Sequence, residues 1–314
     1  MIYTDVTGRC GNQLFQYAFT RKLSMLHGDM PMHFSFYNVE RWRQKTGEES
    51  FSDQLQYFQV KPYTSDIVHS DWIQSLGSQR QKRCFRQRLL YMRISKRLHN
   101  KWIAQRGQAI LNRAGIYRED KTKIKLQKSK EKDIFAKGYF EDPRFFADIR
   151  PQLLEEFTPK APPKEKNREL YDTILNKESV CVSFRKWGEV SEEIRAQRDV
   201  CGKEYYQKAI QRMHEMKPDA VFVVFSDDVQ WVKENFCFPC DVVYEDGTDE
   251  IWEKLRMMYS CKHFITTTST FAWWAQYLCR NPDKIVIAPD RWYNGTGMES
   301  HLLMDDWIKI SADL

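Results

Sequence analysis

Gly8-Arg9-Cys10-Gly11-Asn12-Gln13 stands where a short apolar run, Ile2 to Val6, must turn into the helical pattern of Gln13 to Leu26. Glycines at such a turn let the backbone approach a ligand closely, and the N–H groups of a helix start attract anionic or hydroxyl oxygens. A tight turn with an asparagine cap accounts for the same residues, and spacing does not choose between the two. A second segment, Val180-Cys181-Val182-Ser183-Phe184-Arg185-Lys186-Trp187-Gly188-Glu189, is an apolar strand that ends in two cations, a glycine and a carboxylate. Ligands of doubly wound sheets bind beyond the carboxyl ends of the strands, which puts the planar fork of Arg185 where a diphosphate would lie. The competing explanation is a surface ion pair of Arg185 or Lys186 with Glu189.

Two further strand ends carry polar clusters. Phe225-Ser226-Asp227-Asp228 has the paired aspartates of a metal site, yet Ser-Asp-Asp before an apolar helical run is also what helix capping demands, and capping is the reading taken. Thr266-Thr267-Thr268-Ser269-Thr270 opens an aromatic helix with Trp273 and Trp274. Hydroxyls and amides there suit phosphate oxygens, and they equally suit a cap over core-facing tryptophans. Cys237-Phe238-Pro239-Cys240 has redox or half-zinc spacing, but no second cysteine pair or histidine cluster follows at ligand distance. Neither a metal nor another cofactor is therefore expected.

Such segments need strands that stop abruptly and helices that begin at once. The chain supplies them by alternation: Ile2 to Val6 then Gln13 to Leu26, Val180 to Phe184 then Lys203 to Met213, Ala220 to Phe225 then Val229 to Asn235. Asp241 to Tyr244, Asp249 to Cys261, His263 to Thr267, Phe271 to Leu278 and Lys284 to Ala288 continue the pattern. Alternation of this kind predicts α/β architecture with parallel sheets. Phe157-Thr-Pro-Lys-Ala-Pro-Pro-Lys-Glu-Lys breaks both periodicities and reads as the linker between two Rossmann-like domains, 1–160 and 161–314. A length of 314 residues fits two domains of ordinary size.

The balance of 49 basic against 43 acidic residues is uneven along the chain. Between Asp71 and Glu119 there is no carboxylate, while ten cations fall between Arg80 and Arg106. Phe85, Leu89, Leu90, Met92, Leu98 and Trp102 interleave them at near-helical spacing, the composition of an amphipathic helix that approaches anionic lipid or an anionic acceptor, or of a solvated helix face. Nucleic-acid binding has no supporting motif. No window is apolar enough to cross a bilayer, and the N-terminus lacks the charged and apolar regions of a signal peptide. With eight scattered cysteines read as thiols, the expectation is a cytoplasmic protein, peripheral at a membrane at most.

In register, these segments resemble the α1,2-fucosyltransferase family of bacteria and animals. Gly8-Arg9-Cys10-Gly11-Asn12-Gln13-Leu14-Phe15-Gln16-Tyr17-Ala18 stands in place of the family's Gly-Gly-Leu-Gly-Asn-Gln-Met-Phe-Gln-Tyr-Ala, and its opening also looks like that of protein O-fucosyltransferases. Gly138-Tyr139-Phe140, Pro143-Arg144-Phe145-Phe146, Val200-Cys201 with Tyr205-Tyr206, Phe225-Ser226-Asp227-Asp228, Trp273-Trp274 and Asn281 to Trp292 match further family segments. The family's His-x-Arg-Arg-Gly-Asp is Ser183-Phe184-Arg185-Lys186-Trp187-Gly188-Glu189 here, its acidic helix residue is Lys254 with Glu253 adjacent, and its Asn-Ser-Ser is Thr268-Ser269-Thr270.

The resemblance implies a GT-B-like fold of two Rossmann-like domains facing a cleft, with acceptor mainly on the first and donor mainly on the second. It implies an inverting, metal-independent transfer of fucose from GDP-fucose to a carbohydrate hydroxyl, the 2-OH of a terminal galactose. Arg185, Glu189 and Asn12 are the catalytic candidates. Gly11, Asn12, Gln13, Arg185, Lys186, Asp227, Glu253, Thr268, Ser269 and Thr270 are the donor-binding ones. The substitutions at Ser183 and Lys254 carry two alternatives: a transferase of the same fold using another nucleotide sugar, and a relative that binds nucleotide or carbohydrate without turnover.

Overall fold

The computed structural model describes residues 1–68, 71–119, 123–188, 190–295 and 300–312. The chain forms two compact units, one of residues 1–56 and 60–153, the other of residues 57–59 and 154–314.

The first unit is built on five parallel strands, β1 (Ile2–Asp5), β2 (Met32–Ser35), β3 (Tyr63–Asp66), β4 (Ile116–Arg118) and β5 (Ile134–Lys137), ordered β3-β2-β1-β5-β4. Successive strands run outward from β1 in one direction and return on its other side through β5. The β1/β5 boundary is therefore the topological switch point, and the carboxyl ends of these two strands flank the crevice where such sheets hold ligands. The helix Cys10–Leu26 leaves β1 directly and is buried on most of its circumference. Its Phe19 packs with Ile2, Tyr117, Ile134 and Phe140, and stacks on Phe140 with centroids 3.7 Å apart. Each such fully buried ring contributes about 1.5–3 kcal/mol of transfer free energy.

The basic stretch folds as two helices, Gln79–Leu98 and Lys101–Arg113. A Ser78/Gln81 capping box starts the first, and Asn100 caps the second through the Trp102 N–H at 3.0 Å.

The second unit carries six parallel strands, β6 (Ser179–Phe184), β7 (Val221–Ser226), β8 (Val242–Tyr244), β9 (His263–Ile265), β10 (Val286–Pro289) and β11 (Ile308–Ile310), ordered β11-β10-β9-β6-β7-β8. Every residue of β6 and β7 is buried, as expected of central parallel strands covered on both faces. Here the order reverses between β6 and β9. Both units thus have the doubly wound α/β form that the alternation predicts.

The proline-rich segment at 157–166 is not a loose linker. Phe157 is buried, Phe58 bridges Pro159, Gln59 N donates to Thr158 O at 2.9 Å, and Lys160 N donates to Tyr57 O at 2.8 Å. Arg256 then donates to the carbonyls of Pro159 and Ala161. Prolines leave backbone acceptors but no donors, and a buried guanidinium supplies the missing partners.

Candidate active site

At the switch point of the second unit, β6 ends at Phe184 with Arg185 next in the chain, and β9 ends before Thr266-Thr267-Thr268-Ser269. Arg185 Nη1 meets Asp227 Oδ2 at 2.8 Å, and Asp227 Oδ1 accepts the Lys186 N–H at 2.9 Å. Asp227 follows β7, the neighbour of β6, so adjacent strand ends build the pair. Asp228 turns the other way and caps the helix Val229–Asn235, accepting from Trp231 N at 3.0 Å. The Asp-Asp dipeptide therefore divides its labour between holding a guanidinium and capping a helix. Arg185 engages Asp227, and Glu189, the partner that the sequence suggests for Arg185 or Lys186, lies outside the described residues.

Trp187 follows with φ of +54°, the left-handed region that costs a bulky residue about 1–3 kcal/mol. Its buried ring is the platform on which this polar edge is set: the Arg185 guanidinium lies 4.9 Å from the ring centroid and that of Arg198 5.8 Å. Lys186 directs its ammonium onto Trp231, 3.5 Å from the ring centroid. Asp199, beside this group, has its carboxyl raised by burial, against the opposing pull of Lys186 and Arg195. No motif spacing gives Arg198, Trp187 or Asp199 a role in the sequence; the fold of the connection after β6 brings the Arg198 guanidinium to the Trp187 ring.

The hydroxyl run also divides. Thr268 is buried and donates its hydroxyl to Arg198 O at 2.8 Å, which fixes the segment carrying Arg198. Ser269 takes the N-cap position of the helix Thr270–Leu278 in extended backbone, but its side chain makes no capping bond. Ser269 and Thr270 are part-exposed at the start of this helix, whose backbone N–H groups suit anionic oxygens. Trp273 and Trp274 below them are core residues, with Trp273 Nε1 donating to Leu302 O at 2.9 Å.

Glu253 belongs elsewhere. It is fully buried, and its oxygens accept from Lys164 N at 2.8 Å, Asn167 Nδ2 at 3.2 Å and Arg256 Nη1 at 3.1 Å. These bonds tie the 157–166 segment to the helix Ile251–Ser260, so Glu253 leaves the donor-binding set. A carboxylate this deep must be fully bonded to stay ionised, a requirement the sequence does not reveal. Lys254 pairs with buried Glu245 at 3.1 Å. Glu245, Asp246 and Asp249 lie close enough to share a cation, but among the described residues lysines already balance them: Lys166 is 3.4 Å from Asp246 and 3.0 Å from Asp249.

In the first unit the glycine loop occupies the equivalent switch point. Gly8 has φ of +80°, and a Cβ there would fall onto the Asn12 side-chain amide, so glycine is required on both counts. Gly11 and Gln13 are buried. Gln13 spends its amide on structure, donating to Gly8 O at 3.1 Å and Ser52 O at 2.8 Å and accepting from Gln54 N at 2.9 Å. It shapes the loop and is not itself placed to touch a ligand. Gln16 joins the two strand ends, accepting from Thr7 N and donating to Gly138 O, each at 3.1 Å.

Glu119 completes this edge, accepting from Tyr139 N at 2.6 Å and Phe140 N at 2.9 Å while Phe140 adopts φ of +56°. Asp5 and Lys137, at the ends of β1 and β5, pair at 2.7 Å. The sequence shows Asp5 before the glycine loop, but its partner 132 residues on becomes visible only through the β1/β5 register.

Each of the two doubly wound α/β units gathers its polar motifs at a sheet switch point, the place where such sheets hold ligands. The chain belongs to glycosyl transferase family 11, whose description matches residues 1–311. It is 34% identical over 109 residues to the O-antigen biosynthesis glycosyltransferase WbnK of Escherichia coli, covering 34% of this chain and 36% of that one. It is 31% identical over 180 residues to an alpha-1,2-colitosyltransferase of Escherichia coli, covering 55% and 61%. To the galactoside alpha-(1,2)-fucosyltransferase 1 of Homo sapiens it is 30% identical over 117 residues, covering 35% and 32%. The chain thus spans less than two thirds of the length of these relatives. The NodZ alpha-1,6-fucosyltransferase structure soaked with GDP-fucose aligns with a TM-score of 0.48 at 12% identity, covering 95% of this chain and 98% of that one. Among the described residues no helix is long and apolar enough to cross a membrane.

Proposed function

We propose that this protein is an inverting glycosyltransferase that moves fucose from GDP-fucose to the 2-OH of a terminal galactose without a metal ion, acting at the cytoplasmic side. The observation that carries the reading is that Arg185, after β6, and the helix start at Ser269 and Thr270, after β9, follow the two neighbouring strands at one switch point, a place suited to a diphosphate. In the reaction the acceptor oxygen bonds to the anomeric carbon as the bond from that carbon to the β-phosphate oxygen breaks. The electron pair leaves with the nucleoside diphosphate, and the hydroxyl proton passes to a base. Arg185 neutralises the charge that grows on the leaving diphosphate, with Ser269, Thr270 and backbone N–H groups on the remaining oxygens. Gly11 and Asn12 form the loop that orients the acceptor hydroxyl or the sugar, and Glu189 is the carboxylate assigned to take the proton. Residues 79–106 supply the anion-facing surface of the acceptor-side unit.

A second donor is favoured by one specific substitution, Ser183, where the family places a histidine, together with the similarity to an alpha-1,2-colitosyltransferase. The deciding experiment incubates the protein with GDP-fucose, other sugar nucleotides and galactose-terminated acceptors, with EDTA present throughout, and follows nucleotide release and glycosylated product. Fucosylated product that requires Arg185 supports the reading. Product with another donor alone moves the assignment to that sugar, loss of turnover in EDTA sinks metal independence, and binding with no release from any donor makes the protein a non-catalytic relative.

A further inference from the structure

The helical pair Gln79–Leu98 and Lys101–Arg113 carries a surface that holds none of the residues assigned to the transfer step. Its base is firmly fixed: Gln81 Nε2 donates to Ala114 O at 2.9 Å and Asp133 O at 2.7 Å, and buried Arg88 donates to Gln108 Oε1 at 3.2 Å. Gly107 lets the two helices close on each other, since a Cβ there would stand 2.9 Å from that of Tyr91. Beyond this crossing, towards the turn at His99 and Asn100, the outer side of the first helix is apolar. Leu90, Ile94 and Leu98 recur at intervals of four and form one stripe, 56%, 37% and 61% exposed, and Trp102 extends it past the turn at 66%.

Arg83, Arg86, Arg93 and Arg97 fall on the same outward face at helical spacing, with Lys82, Lys96 and Lys101 beside them. Among the described residues these seven cations have no carboxylate partner, and the sequence between Asp71 and Glu119 contains none. A surface both apolar and strongly cationic fits a partner both apolar and anionic. A second copy of the chain would bring like charges together, and a soluble polyanion would leave the leucine stripe in water. An anionic bilayer satisfies both halves: headgroup phosphates meet the arginines while the leucines and Trp102 enter the acyl boundary.

We propose that this helical pair docks the protein on membranes rich in anionic phospholipid, through Leu90, Ile94, Leu98 and Trp102 flanked by the arginines. The proposal is independent of the transferase reading, because its test needs no turnover. The purified full chain is sedimented with vesicles of phosphatidylcholine alone and of phosphatidylcholine mixed with phosphatidylglycerol. The expected result is pelleting with the mixed vesicles only, reversed by high salt. Each cation near an anionic surface is worth about fivefold in partitioning, so Arg93→Glu/Arg97→Glu should weaken binding by more than about twentyfold. Leu90→Ser/Leu98→Ser/Trp102→Ser should abolish it, with thermal unfolding unchanged because these side chains are exposed. If the triple variant does not fold, Leu98→Ser alone must weaken pelleting. Three outcomes overturn the proposal: no pelleting with mixed vesicles, serine variants that bind as the parent does, or retention on a soluble polyanion without vesicle binding.

Discussion

Arg185 Nη1 and Asp227 Oδ2 are 2.8 Å apart across the carboxyl ends of β6 and β7, and the same carboxylate accepts the Lys186 N–H at 2.9 Å. One side chain therefore fixes both the guanidinium and the backbone that carries it. A cation held in place before the leaving group departs stabilises the developing charge without reorganising, the condition under which such contacts are worth most.

Arg185→Lys keeps a charge but loses the planar fork, and kcat/KM with the preferred donor should fall about a hundredfold or more. Asp227→Asn should cost less, since the fork survives and only its anchor weakens. Glu189→Gln should cost far less than Arg185→Lys when leaving-group stabilisation dominates. Steady-state rates of the three variants check the ranking, and equal losses for Arg185→Lys and Glu189→Gln reverse it.

Gly8→Ala places a side chain at φ of +80° and against the Asn12 amide. The backbone term alone should lower unfolding free energy by about 1–2 kcal/mol. Turnover should fall further than stability explains, because Asn12 must move. Urea unfolding alongside the rate separates the two; a normal rate in the destabilised variant removes Asn12 from the mechanism.

Glu253→Ala leaves Arg256 buried without its carboxylate and removes the acceptor of Lys164 N, while Asn167 keeps its bond to Asp249. The expected cost is about 3–5 kcal/mol of stability. The affinity for nucleoside diphosphate measured on the folded fraction should match the parent. A selective loss of nucleotide binding with normal stability would return Glu253 to the donor site.

Glu178 is held at about 2, first by its hydrogen bond with Lys217 and then by that with His263. His263 is itself lowered from 6.5, chiefly by burial, with Glu178 pulling in the opposite direction. Both depressed values act with the same sign. The unfolded chain takes up the imidazole proton as the pH drops through 6.5, and the carboxylate proton as it drops through 4.5, while the folded chain resists both. Thermal stability should therefore decline steadily as the pH falls from neutral towards 2. Glu178→Gln should unfold at lower temperature at neutral pH and lose less than the parent on acidification; a parallel acid profile would dismiss the pair.

The sequence by itself determined the strand-to-helix alternation, and hence two parallel α/β units, because burial on both faces of central strands writes itself as near-continuous apolar runs such as Val180 to Phe184 and Ala220 to Phe225. It also determined the glycine loop at 8–13 and the cation after β6, because turns and strand ends are local events with local signatures. Edge strands such as β3 and β11 left no comparable mark, being short and only partly buried. Only the tertiary structure decided the partners. Asp227 could cap or clasp, and the β6/β7 register chose for it. Gln13 and Glu253 carry the right chemistry for ligands, yet burial turned both into braces, since a buried amide or carboxylate must satisfy every acceptor it has. Trp187 with Arg198, Asp5 with Lys137, and Glu119 with the 138–140 loop are meetings of residues whose separation along the chain says nothing of their distance. That is the physical reason the reading stops there: spacing encodes what a segment does with its neighbours in sequence, and strand order encodes what it meets in space.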